Sequence, residues 1–361
     1  MPAKPWTAIW SDVAAGVRDS RTRNEAVQRA TALRGEPTTW DALARAWRRM
    51  TEAGQETGRA DTALCVDFSG IDRQVDPVRL GDRVYRVGQT FTFDHVPGVG
   101  RKHLVVPDTQ VKPGVPLDHF KWIGRYIADK GPDVVIHLGD HWDMPSLSTY
   151  DSAAKKAARG VAKVTDIEVG NHALELLEEE LTKAGVKPTK ILLEGNHDGF
   201  ADQGRVGRYL ADHPDDDGLI RPDQFADSWL GWKRVPFLEP IDIDGILYCH
   251  LFPFNQDGKV TPGALRMGAS SAKVQCKAMA QSTTAGHRQG IDTSVHPLPT
   301  GRTLRGVIAG SCYLHDEAYM GPGNRHYRGI LVKHDVRPSN PNHYDLMEVS
   351  LEFLRRKYGG N

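Results

Sequence analysis

Three apolar runs, each ending in metal-binding types of side chain, constrain this chain more than any other feature. Asp133-Val134-Val135-Ile136-His137-Leu138 runs into Gly139-Asp140-His141-Trp142-Asp143. Leu104-Val105-Val106-Pro107 runs into Asp108-Thr109-Gln110, and Ile191-Leu192-Leu193-Glu194 into Gly195-Asn196-His197-Asp198. A short β-branched run that stops at a turn residue reads as a buried strand. In open α/β sheets, ligand sites lie at the carboxyl ends of such strands. Three tips bearing Asp, Asp and Asn-His imply one shared polar site, and holding metal ions is its most economical use.

The rest of the chain fits an α/β protein with an N-terminal appendage. At 361 residues it can bury a large core and still carry a second, smaller unit. The division expected is a helical domain over 1–55, a linker and small β element over 56–100, and a main domain over 101–361. Residues 14–33 and 42–50 read as helices. Trp40, Leu43, Ala44 and Trp47 share one face, and Arg45, Arg48 and Arg49 line the remainder. Two short helices around Gly35-Glu36-Pro37 suggest a helix-turn-helix that holds DNA; the plainer reading is a small bundle docked on the main domain. From residue 101, strands at 103–107, 134–138 and 191–194 alternate with helices, the first at 116–130. One strand is expected over Ile241–Cys249, delivering His250, and a helix over 265–279. Further strands are expected at 304–309, 327–332 and 346–349, with a last helix at 351–358.

Formal net charge is +0, so no global charge calls for nucleic acid or membrane. No apolar segment suits a signal peptide or a membrane span. Cys65, Cys249, Cys276 and Cys312 are scattered without C-x-x-C spacing, which points to reduced thiols and a cytoplasmic setting. The acidic turn 213–218 lacks the spacing of an EF-hand loop and reads as a solvated loop.

Taken together, the polar strand tips are Asp108, Gln110, Asp140, Asp143, Asn196, His197, His250, His287 and Gln289. Their order over residues 101–340 resembles the calcineurin-like metallophosphoesterase superfamily. That resemblance implies a four-layer α/β/β/α sandwich of two mixed sheets. It implies two divalent cations bridged by Asp140, with Asn196, His250 and His287 completing one site and Asp108, Gln110 and Gln289 the other. Paired ions roughly 3.5–4 Å apart clamp a phosphate and acidify a water that attacks phosphorus in line. By the same resemblance His197 protonates the leaving oxygen and Asp143 orients His197.

The chain departs from the family pattern at Gln110 and Gln289, where histidines are usual. Both changes fall on one cation site, which becomes oxygen-only and suits Mn²⁺ or Mg²⁺ better than zinc. Asp143 is followed by Met144-Pro145, unlike the protein-phosphatase branch. The stretch from Gly195 through Arg205, Arg208 and Trp229-Leu230-Gly231-Trp232 is similar to phosphoesterases from bacteriophage genomes. This implies a phosphodiesterase or nuclease acting on DNA in a host cytoplasm, with Arg205 and Arg208 as phosphate contacts. A phosphatase or phosphodiesterase for nucleotides and small esters is the alternative, and an inactive DNA-binding scaffold the third. Trp229 and Trp232 read as core residues before base-stacking ones. Nothing in the sequence sets an oligomeric state.

Overall fold

The computed structural model describes residues 12, 23–34, 43, 46, 78–80, 83–85, 90–91, 100–148, 163–201, 203–214, 219–252, 271–316 and 326–360. The chain divides into two compact units, Met1–Asp76 and Pro77–Asn361. In the first, helix α1 spans Arg23–Arg34, and Ala30, Leu43 and Ala46 are buried. Trp40, Trp47, Arg45, Arg48, Arg49, Cys65 and the linker lie outside the described residues. So do 149–162 and 253–270, which hold the start of the expected 265–279 helix, and 215–218, which hold most of the acidic turn.

The second unit begins with two short strands, β1 (Val78–Leu80) and β2 (Arg83–Tyr85), paired antiparallel, and then β3 (Thr90–Phe91). Next come β4 (Arg101–Val106), α2 (Asp118–Lys130), β5 (Val134–His137), α3 (Lys163–Ala184), β6 (Thr189–Leu193), α4 (Arg205–Asp212) and β7 (Lys233–Val235). β8 (Ile241–Ile243), β9 (Ile246–Cys249), α5 (Ala272–Met279) and β10 (Ser282–Ala285) follow. The chain closes with β11 (Ile291–Pro297), β12 (Thr303–Ala309), β13 (Gly329–Val336), β14 (Asp345–Ser350) and α6 (Leu351–Tyr358). One six-stranded sheet runs β14-β13-β4-β5-β6-β7, and the other runs β11-β12-β10-β9-β8-β3. β4 to β7 are parallel, as are β9, β10 and β12 and the pair β3 and β8, while β13 pairs antiparallel with β4 and β14, β8 with β9 and β11 with β12, so both sheets are mixed.

Alternation along the strands builds the layers. Leu104, Val106, Val135 and Leu192 face Phe120, Ile123 and Ile127 of α2 and Leu174, Leu177 and Leu181 of α3. Their neighbours Val105, Val134, Ile136, Ile191 and Leu193 face Ile241, Ile243, Ile246, Tyr248 and Val307 of the other sheet. Beyond that sheet, Leu247, Cys249 and Ala285 meet Met279 of α5. A strand buried on both faces shows no polar alternation, which is why β5 reads as one apolar run. Each large apolar side chain so buried contributes about 1.5–3 kcal/mol. The result is an α/β/β/α sandwich of two mixed sheets. α2 stops at Gly131, whose left-handed φ of 51° lets its N–H bond the Ile127 carbonyl at 2.9 Å.

The expected single strand 241–249 is a hairpin. Asp244 and Gly245 have φ of 55° and 80°, the conformation a tight two-residue turn needs. β11 and β7 were not anticipated. β11 pairs with β12 along seven residues but alternates between half-buried and exposed, so it lacks an apolar signature. Among the described residues no helix is long and apolar enough to cross a membrane.

Candidate metal centre

Five loops at the carboxyl ends of β4, β5, β6, β9 and β10 meet. Backbone hydrogen bonds stitch them together: Gln110 N to Asp140 O at 2.8 Å, Val111 N to His141 O at 2.7 Å, and Gly286 N to His250 O at 3.1 Å. His197 N donates to Asp140 Oδ1 at 2.8 Å, and His287 N to Asp108 Oδ1 at 3.0 Å. Four site residues sit at left-handed φ: Gln110 at 41°, Asp140 at 50°, His287 at 66° and Gln289 at 60°. Each such residue costs about 1–3 kcal/mol and persists only where its surroundings hold it. Gly195 allows the closest approach, since a Cβ there would lie 2.0 Å from Asp140 Oδ1.

Asp140, His250 and His287 present ligand atoms within 4.8 Å of one another, and together they can hold a divalent ion. His250 Nδ1 donates to the Leu138 carbonyl at 2.8 Å. Burial holds its pKa below the usual histidine value despite the pull of Asp140. Its Nε2 therefore carries a lone pair, yet it faces Asn196 Oδ1 at 3.1 Å and Asp140 Oδ2 at 3.5 Å. His287 Nδ1 lies 2.8 Å from the same Asn196 oxygen, and burial lowers its pKa to about 4. The His250 lone pair facing two oxygens is what a cation resolves, and His287 Nδ1 joins it when the His287 proton sits on Nε2. Cys249 points the other way, into the layer under α5, and burial pushes its thiol up to about 12.

The Asp108 side differs. Asp108 Oδ2 and Gln110 Oε1 are buried oxygens with no hydrogen-bond partner. Burial, with the charge of Asp140 next, raises the Asp108 pKa well above the carboxylate range. Two orphaned acceptors beside a crowded carboxylate also fit a cation. Gln289 is buried, and its Oε1 accepts from the Tyr313 hydroxyl at 2.9 Å.

His197 stands at the rim. Its Nδ1 lies 2.6 Å from Asp143 Oδ1, and its Nε2 accepts from Arg205 at 3.2 Å. Arg205 also donates to the Asp143 carbonyl at 2.5 Å, and Lys112 Nζ lies 3.1 Å from Asp143 Oδ2. Asp143 ends far below its usual pKa: burial opposes this, but the hydrogen bond and charge of His197, then Lys112 and Arg205, prevail. Arg208 is exposed and donates to the Gln203 carbonyl at 3.0 Å. Trp232 is buried; Trp229, expected in the core, is half exposed because it caps a short turn at the surface.

Behind the centre, Asp198 ties two loops together. It accepts from Gly195 N at 2.6 Å through Oδ1 and from His141 N at 2.8 Å through Oδ2. Burial, followed by the charge of Asp140, raises its pKa to about 7. Lys112, Tyr313 and His326 were not singled out from sequence. Lys112 follows Gln110 by two residues but is outside the acid, amide and histidine types that mark metal sites. Tyr313 and His326 lie in stretches with no motif.

No family model matches the chain, and no curated protein does. Among solved structures it is similar to the crystal structure of TT1561 of Thermus thermophilus. The identity is 10% over 70% of this chain and 99% of that one, with a TM-score of 0.32, a likeness too slight to support any inference about function.

Proposed function

We propose that the chain is a metal-dependent phosphoesterase. The observation that carries this reading is the meeting of His250 Nε2, Asn196 Oδ1 and Asp140 Oδ2 as proton-less acceptors in a buried site. Asp140, Asn196, His250 and His287 would hold one divalent ion. Asp108, Gln110 and Asp140 would hold a second, with Gln289 beside them. When bound, such a pair polarises a phosphoryl oxygen and lowers the pKa of a coordinated water. Oxygen and amide donors with few imidazoles suit Mn²⁺ or Mg²⁺.

The residues around the centre do the proton work. Asp143 accepts the Nδ1 proton of His197 and fixes the ring. Nε2 is then the atom that hands a proton to the leaving ester oxygen. In the structure Arg205 donates to that same nitrogen, so Nε2 is bare until Arg205 lets go. An incoming anion gives the guanidinium a better acceptor and frees Nε2 to take a proton from solvent, which it then passes to the leaving oxygen. Arg205 thus couples arrival of the phosphate to readiness of the acid.

A phosphodiester in DNA is the substrate class we carry forward. Arg208 lies one turn along the same helix as Arg205, on the same face at i, i+3, where a flanking phosphate of a polyanion can reach it. The test is turnover of bis(p-nitrophenyl) phosphate and of end-labelled single- and double-stranded DNA with Mn²⁺ and with Mg²⁺. Cleavage that Asp140→Ala abolishes supports the reading. Hydrolysis of mononucleotides alone removes DNA as the substrate, and no turnover with any divalent ion removes the phosphoesterase itself.

A further inference from the structure

Gln289 and Tyr313 belong to two segments that both bond Asp108. His287 N donates to Asp108 Oδ1, and Cys312 N donates to the Asp108 carbonyl at 2.7 Å. Between these segments the Tyr313 hydroxyl lies 2.9 Å from Gln289 Oε1 and 2.6 Å from His326 Nδ1. A phenol has one proton to give. Once it is given to Gln289, the second bond requires His326 Nδ1 to be the donor. The relay therefore runs one way, from His326 Nδ1–H to Tyr313 Oη and from Tyr313 Oη–H to Gln289 Oε1. Tyr313 is fully buried, stacks on His315 at 4.7 Å between centroids and carries the Arg328 guanidinium over its ring at 5.3 Å. Its hydroxyl is held in place.

An amide has an acceptor at one end and a two-proton donor at the other. Tyr313 takes the acceptor, and the remaining end of Gln289 is its NH₂. A protonated nitrogen does not ligate a cation, but it binds a phosphoryl oxygen well. Gln110 contrasts with it, because its Oε1 is buried with no hydrogen-bond partner.

We propose that Tyr313, held by His326, turns Gln289 into a donor for the substrate's phosphoryl oxygen and away from metal binding, so that Asp108, Gln110 and Asp140 alone serve the second cation. The proposal rests on the reading that the centre holds divalent ions. Tyr313 and His326 act as positioning residues through Gln289.

The experiment is calorimetric titration of Mn²⁺ into the full chain, with kcat and KM measured on a phosphodiester. The forms compared are wild type, Tyr313→Phe, Gln289→Ala and Gln289→Glu. In Tyr313→Phe the amide is released and its oxygen can turn to the second cation. That binding step then tightens by about tenfold, the scale of changes at residues behind a ligand. KM rises and the first step does not move. Gln289→Ala raises KM and leaves both binding steps as they were. Gln289→Glu tightens the second step, because one oxygen can take the Tyr313 proton while the other meets the cation.

If Gln289→Ala weakens the second step, Gln289 is a ligand and the proposal falls. It falls too if Tyr313→Phe folds, binds the first ion normally and leaves the second step and KM unchanged. Should Tyr313→Phe fail to fold, Gln289→Ala decides by the same two readouts. Wild-type protein that takes up no Mn²⁺ overturns the metal reading itself, a result that neither of the other outcomes resembles.

Discussion

The two halves of the proposed centre would share Asp140 but are built from different chemistry. One half has two imidazoles and an amide oxygen, with His250 fixed by the Leu138 carbonyl so that its lone pair can point only inward. The other half has no imidazole. It offers a carboxylate and an amide whose buried oxygens, Asp108 Oδ2 and Gln110 Oε1, bond nothing in the protein. Preorganised nitrogen ligands favour tight binding, while unpaired oxygens favour a harder ion held in exchange with solvent. The difference predicts unequal occupancy: the histidine half fills first, and the Asp108 half fills only at higher metal concentration.

The strongest blow to this comparison is Asp140→Ala, which removes the one group that both proposed halves would use. Both Mn²⁺ steps should vanish in calorimetry, and turnover should fall to background, since losing even one dominant electrostatic contribution costs about 10²–10³-fold. A variant that kept one tight step would show that Asp140 belongs to one half only. His197→Ala comes next. His197 touches Asp140 through its backbone N–H, and its ring is held by Asp143 and Arg205. The expected loss is roughly 10²–10⁴-fold in kcat on an ester with a poor leaving group. With a p-nitrophenyl leaving group, which needs no proton, the loss should be much smaller, and Mn²⁺ binding should be unchanged. Equal losses on both esters would remove His197 as the acid.

The histidine half was legible in the sequence because its pieces follow parallel strands, and a buried parallel strand announces itself as an apolar run. Asp140, Asn196 and His250 follow such runs; His287 follows Ser282-Thr283-Thr284-Ala285, a polar strand, and was legible only as a Gly-His in the family's order. The hairpin at 241–249 had a legible signal, since Asp244-Gly245 between two apolar segments favours a two-residue turn, but the short segments on either side also read as one longer strand. β11 was hidden for a different reason: as a half-exposed edge it has almost no apolar face. Gln110 and Gln289 could be read as departures from a pattern, but the orientation of an amide is settled by its partner. Tyr313 sits 24 residues beyond Gln289, where no spacing rule connects the two. Arg205 and Arg208 looked equivalent three residues apart. Only the position of the short helix against Asp143 and His197 separates them.

A smaller effect would sharpen the contrast. Asp198 clamps the loops of Asp140 and Asn196 through Gly195 N and His141 N. Replacing it by Asn substitutes an NH₂ for one of two oxygens that both accept from backbone N–H groups, so one bond is lost and two donors collide. The first Mn²⁺ step should weaken by about 10–100-fold, as for other residues that orient ligands from behind. The second step should weaken less, since Asp108 and Gln110 stand on other loops. Equal weakening of both would mean that the halves move as one body.

The last effect lies outside both halves, on the acid side of the centre; it is read in stability and leaves metal binding untouched. Asp166 on α3 accepts from Ser146 N at 2.9 Å and so braces the turn that follows Asp143. Burial raises its pKa to about 6, against the pull of its hydrogen bonds to Ser146. An unfolded aspartate titrates near about 3.9. Between those values the folded chain holds a proton that the unfolded chain has lost, so stability falls as pH rises from about 4 to about 6 and is flat beyond. At about 1.4 kcal/mol per pKa unit, the loss is at most about 3 kcal/mol. Asp166→Asn keeps an oxygen for Ser146 N–H and cannot titrate. Urea denaturation in EDTA should therefore show wild type losing stability relative to the variant across that window, with no further change to pH 8. A constant difference, or one of opposite slope, would mean that Asp166 is charged in the folded chain. Its partner would then have to be Arg205, and the acid side would be a charge network in place of a hydrogen-bonded brace.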